Sequence, residues 1–169
     1  MKKRIYRRMP VNDFQPQSIS PADLGGKLVF AIDVAKVDMV AALASASGRV
    51  LHTICWKAPA ENPMVLSILR GFRTAGITVE AVMEPSGTYG DVLRHQLEKD
   101  AFPVFMVSGK RTYDAKEIFD GVPSLHDAKS ATIIARLHAD GLSTRLSDEV
   151  PERRQLKAAL AIMDLHQER

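Results

Sequence analysis

Three acidic residues stand where the texture of this sequence changes. Asp33 closes the apolar run Leu28-Val29-Phe30-Ala31-Ile32. Glu84 closes a second run at 77–83 and precedes the turn Pro85-Ser86-Gly87. Asp127 opens a stretch with apolar residues at helical spacing. A carboxylate beside an apolar strand is costly unless it is paired or binds a cation. Carboxylates at the ends of neighbouring strands offer the oxygen ligands that a hard divalent cation such as Mg2+ takes, and in open α/β sheets ligand sites gather at such ends. Asp38, at the start of the next apolar run, is a further acid of this kind. The spacing alone is not specific. Ser124-x-x-Asp127 also reads as a capping box with Asp in place of Glu or Gln, which would give Asp127 a purely structural task. His126 beside it reads as a surface or packing residue.

The elements that must position these acids follow from periodicity. Residues 28–32, 38–43 and 50–56 are short β-prone runs separated by brief turns, the pattern of an antiparallel meander. The period then changes. Val65, Leu66, Ile68, Leu69 and Phe72 recur at helical spacing between Pro63 and Gly76. Residues 77–83 and 103–107 read as strands, and 89–97 and 112–119 as helices. Gly121-Val122-Pro123 forms a break, after which Ser124 caps a helix ending near Gly141. The order predicts an α/β fold: a mixed sheet with a meander on one side and parallel βαβ units on the other. After Pro151, Leu156, Leu160 and Met163 form an amphipathic stripe suited to pairing with another helix.

Composition narrows the classes. The 169 residues are 46% hydrophobic and 25% charged, ordinary for a globular domain. No run approaches a membrane span, and the N-terminus lacks the apolar stretch of a signal peptide, so a cytoplasmic protein is the expectation. A single cysteine, Cys55, excludes a disulfide framework and a Cys-based zinc site. His52, His95 and His138 show no metal-ligand spacing. Residues 1–26 hold Lys2, Lys3, Arg4, Arg7 and Arg8 against Asp13 and Asp23, and so carry the whole net charge of +3. They read as a flexible basic leader able to contact phosphates.

Taken together, the motifs resemble a known family. Phe30-Ala31-Ile32-Asp33-Val34-Ala35-Lys36 is similar to the first catalytic strand of the DEDD-type insertion-sequence transposases and the related Piv-like DNA invertases. Val82-Met83-Glu84-Pro85-Ser86-Gly87-Thr88-Tyr89 resembles their second acidic motif. Ser124-Leu125-His126-Asp127-Ala128-Lys129-Ser130-Ala131 lies where they carry paired aspartates, and Ala135-Arg136-Leu137-His138 continues the helix as they do. The resemblance runs from Lys27 to the C-terminus. It implies an RNase H-like (RuvC-like) domain over 27–146, with a five-stranded mixed sheet flanked by helices, and a helical linker beginning in 151–169. It implies four acids holding two Mg2+ or Mn2+ ions for DNA cleavage and strand transfer, with Asp33, Glu84 and Asp127 as the first three.

The fourth acid is missing: its position, one helical turn after Asp127, is Ser130. A serine brings no charge, so weakened binding of at least one ion is expected. Asp120 and Asp140 lack the helical offset to replace it. Family members continue past the linker into a domain carrying a serine nucleophile. The chain stops at Arg169, so it is not expected to transpose by itself. DNA is the implied partner, some relatives employ a guide non-coding RNA, and the C-terminal stripe suits a homo-oligomer. Lys110, Arg111 and Lys116 are candidate phosphate contacts, with a solvated helix face as the alternative. A catalytically defective nucleic-acid-binding or dimerisation module of the same fold is the competing expectation. An actin-like ATP-binding domain would need glycine-rich phosphate loops, and Asp33 is followed by Val34-Ala35-Lys36 instead.

Overall fold

The computed structural model describes residues 7–120 and 126–146 and, near the C-terminus, 155–156, 159–160 and 162–163. Strands β1 (Arg8–Pro10), β2 (Lys27–Asp33), β3 (Asp38–Ala44), β4 (Val50–Lys57), β5 (Thr78–Met83), β6 (Val104–Met106) and β7 (Thr144–Arg145) form one sheet in the order β1-β4-β3-β2-β5-β6-β7. β2, β3 and β4 are the antiparallel meander, and β2, β5 and β6 run parallel. The helices are α1 (Pro21–Leu24), α2 (Asn62–Thr74), α3 (Asp91–Lys99), α4 (Gly109–Asp120) and α5 (Asp127–Ala139).

The sheet has seven strands where five were expected. The two additions lie at its edges. β1 pairs in parallel with β4, and β7 pairs antiparallel with β6. The first comes from residues read as flexible leader. Sequence periodicity missed it because β1 is three residues long and its segment buries apolar side chains singly: Val11, Phe14, Ile19 and Leu24 all lie in the core. Residues 1–6 lie outside the described residues.

The central strands are buried on both faces, and their side chains alternate between two cores. Leu28, Phe30 and Ile32 of β2, with Val79, Ala81 and Met83 of β5, meet Val65, Leu69 and Phe72 of α2 and Leu93 and Leu97 of α3. Val29 and Ala31 of β2, Val40, Ala42 and Ala44 of β3 and Val82 of β5 meet Ala131, Ile134 and Ala135 of α5. This second face is built largely of alanine, which lets α5 lie close to the sheet. At the far end of α5 the approach is tighter still. A Cβ on Gly48, in the β3–β4 turn at φ +82°, would stand 2.9 Å from Ala139 Cβ. Among the described residues no helix is long and apolar enough to cross a membrane.

Candidate metal centre

Alternation along the strands decides where the acids point. Asp33 continues the Val29–Ala31 side of β2, and Glu84, just past β5, continues the Glu80–Val82 side, so both fall on the α5 face. The parallel register pairs Ile32 with Met83, which puts Asp33 and Glu84 next to each other at the strand ends. The loops that follow are held together: a Cβ on Gly90 would meet Val34 Cγ1 at 3.3 Å and Met83 Sδ at 3.7 Å. α5 runs antiparallel to β5, since His138 near its end meets Glu80 early in that strand. Its first residue, Asp127, is thereby brought to the Asp33–Glu84 end.

Electrostatics register this convergence. The Asp33 carboxyl is raised to about 7, first by burial, then by the negative charges of Asp127 and Glu84. The three carboxylates sense one another without closing into a finished ligand shell: among the described residues no group of three acids or histidines stands at metal-holding distances. Asp127 is turned partly outward, and its Oδ2 accepts a hydrogen bond from Arg8 Nη1 at 3.1 Å.

Glu84 is flanked by the first turn of α4, where a Cβ on Gly109 would lie 3.5 Å from its Oε2. Ser86 Oγ, in the turn after Glu84, and Thr112 Oγ1, in the first turns of α4, are buried without a hydrogen-bond partner. Ser130 is 6% exposed and sits one turn along α5 from Asp127, inside the α5–sheet layer. The helix begins differently from the capping box read in the sequence. Ser124 lies outside the described residues, and the N-cap is His126, whose Nδ1 accepts from the Lys129 backbone N–H at 3.2 Å. Asp127 is therefore not needed as the cap and is the first residue at the positive end of α5.

Other acids fall away from the centre. Asp38 is exposed and its Oδ1 pairs with Lys57 Nζ at 2.9 Å. Asp140 lies at the opposite end of α5, beside Arg136 Nε at 3.4 Å, and the side chain of Asp120 is outside the described residues. The candidate phosphate contacts all lie on α4, which begins against Glu84. Lys110 Nζ meets Asp114 Oδ2 at 2.9 Å, Arg111 Nη1 donates to the Leu142 carbonyl at 2.8 Å, and Lys116 Nζ lies 3.7 Å over the Tyr113 ring. The site residue that sequence reading missed is Arg8. Its only signal was membership of a basic cluster, and nothing local tied it to an acid 119 positions away.

No family model and no curated protein matches the chain. Among solved structures, T. thermophilus RuvC in complex with Holliday junction substrate superposes with a TM-score of 0.51 at 17% identity, covering 71% of this chain and 99% of that one. The chain thus has a RuvC-like α/β fold, and at this identity the likeness is one of fold. A ROK family transcriptional regulator, a homologue of the E. coli MLC protein, gives a TM-score of 0.42 at 12% identity over 57% of this chain and 31% of its own, too low to bear on the fold.

Proposed function

We propose that this chain is the metal-dependent catalytic half of a DEDD-type DNA recombinase, similar to insertion-sequence transposases and Piv-like invertases, weakened at its fourth acidic position. Asp33, Glu84 and Asp127 hold Mg2+ or Mn2+ in this reading, and DNA strands are cleaved and transferred there. The observation that carries it is the Asp33 carboxyl, raised to about 7 on a sheet face it shares with Glu84 and opposite Asp127. A structural acid at such a position would have a cationic partner, as Glu80 does on the same face. Crowding of carboxylates about Asp33 is what an oxygen-ligated divalent cation offsets.

When bound, the cation supplies positive charge for the attacking and leaving oxygens of phosphoryl transfer. The residues themselves do the rest. Asp33, raised to about 7, is partly protonated near neutral pH and would release that proton on binding a cation. Glu84 stands against the first turn of α4, and Asp127, about half exposed, is the ligand that would close the shell. Lys110, Arg111 and Lys116, carried by the helix that begins beside Glu84, contact the phosphates of the strand in this reading. The RuvC structure that shares the fold holds a Holliday junction, so branched DNA is the first substrate to assay. A guide RNA and a homo-oligomer built on the C-terminal stripe belong to the same proposal. Leu156, Leu160 and Met163 are helical and exposed in support of the latter.

One observation favours a second reading. Ser130 is buried and neutral where a fourth carboxylate would stand, which fits a defective module that binds DNA without cutting it. Titration of Mn2+ into the full chain and a Ser130→Asp variant, with cleavage of duplex and branched DNA measured alongside, separates the two. Roughly tenfold tighter Mn2+ binding by the variant, a gain of ~1.4 kcal/mol, together with metal-dependent cleavage, supports the catalytic reading. DNA binding with no cleavage by either form supports the defective module. Asp33→Ala binding Mn2+ as tightly as the parent would sink the site assignment.

A further inference from the structure

Arg8 belongs to β1, at the edge of the sheet, through its pairing with Thr53 of β4. Its guanidinium reaches across that edge to the start of α5 and donates to Asp127, both side chains being about half exposed, 51% and 53%. The row it reaches is that of the site. Asp33 pairs with Val40 and Val40 with Cys55, and Cys55 lies two residues along β4 from the Thr53 that pairs with Arg8. A cation delivered by the N-terminal segment therefore occupies one carboxylate of the acidic centre.

We infer that Arg8 is a tethered counter-ion for Asp127, which a divalent cation must displace to complete its ligand shell. The inference rests on the metal reading above and adds a positioning residue to it. The guanidinium is a planar fork whose N–H groups match a carboxylate. It holds Asp127 Oδ2 by a directed hydrogen bond, which leaves the outward rotamer populated and the shell open. Once displaced, the guanidinium stands free at the mouth of the site, where a DNA phosphate is its natural partner. Metal and DNA then each remove an obstacle to the other.

The test is calorimetric titration of Mn2+ into the full chain and its Arg8→Gln, Arg8→Lys and Arg7→Gln variants, without nucleic acid. An exposed pair of this kind predicts about two- to fivefold tighter Mn2+ binding by Arg8→Gln. Arg8→Lys, which keeps the charge, should stay near the parent. Arg7→Gln removes the same charge one residue away and should also stay near it. Unchanged or weaker binding by Arg8→Gln, or an equal gain from Arg7→Gln, overturns the inference and leaves the metal site standing. Absence of Mn2+ binding in every form, parent included, overturns the metal reading and this inference with it. Thermal unfolding of each variant confirms that the fold is unchanged.

Discussion

The two ends of α5 solve the problem of a carboxylate against a sheet in opposite ways. At the C-terminal end, Glu80 of β5 is answered on every side: its Oε2 accepts from His138 Nε2 at 2.7 Å, its Oε1 meets Lys27 Nζ at 3.0 Å, and Ser143 Oγ lies 2.7 Å from His138 Nδ1. Burial pushes the Glu80 carboxyl up, but the hydrogen bonds from His138 and Lys27 outweigh it and hold it below its ordinary value. At the N-terminal end, Asp33 is pushed up to about 7 by burial and by two further acids. Both residues face the same helix across the same alanine-rich layer. One end is a latch that stabilises the fold; the other stores unfavourable charge. Strain of the second kind is expected at a binding site, where a ligand offsets it.

The largest effect is expected at the latch. Glu80→Ala leaves Lys27 and the largely buried His138 side chain without their acceptor and should cost on the order of 2–3 kcal/mol, read by urea unfolding. Gly48→Ala attacks the same end through packing. It forces a positive φ on alanine and a Cβ into Ala139, for about 1–3 kcal/mol.

The pH profiles of the two ends should have opposite signs. The lowered Glu80 carboxyl contributes stability that is complete above its unfolded value of 4.5 and is lost as pH falls through its folded value. The raised Asp33 carboxyl keeps its proton up to about pH 7 where the unfolded chain releases it near 3.8, so the metal-free native state loses stability between those limits as pH rises. Asp33→Asn should abolish that decline and stabilise the metal-free protein at pH 7.5 by roughly 1–2 kcal/mol once solvent screening is allowed for. An unchanged pH slope in this variant would refute the crowding of the three acids. The smallest effect sharpens the boundary of the site: Asp38→Asn should leave Mn2+ affinity unchanged, because Asp38 lies with Lys57 outside the acidic row.

Much of this was legible in the residues. The meander, the parallel strands and the acids at their ends follow from period-2 and period-3.6 patterning, since a strand buried on both faces must read as a continuous apolar run. The edge strands were not legible. β1 and β7 are two or three residues long, and their pairing is fixed by partners far along the chain rather than by their own sequence. The N-cap of α5, His126, was not legible either, because by residue type serine is the stronger capping signal.

By itself, the sequence determined the α/β alternation, the apolar cores and the three acids that end or begin their elements, because local patterning and the cost of burying charge act on neighbours in the chain. Only the folded chain sets these acids near one another, with Asp33 raised while Glu80 is held low, and matches Arg8 rather than a lysine or arginine of α4 to Asp127. Those outcomes depend on distances of a few ångströms between segments remote in sequence, and electrostatic energy at that range is set by fold geometry, not by residue order.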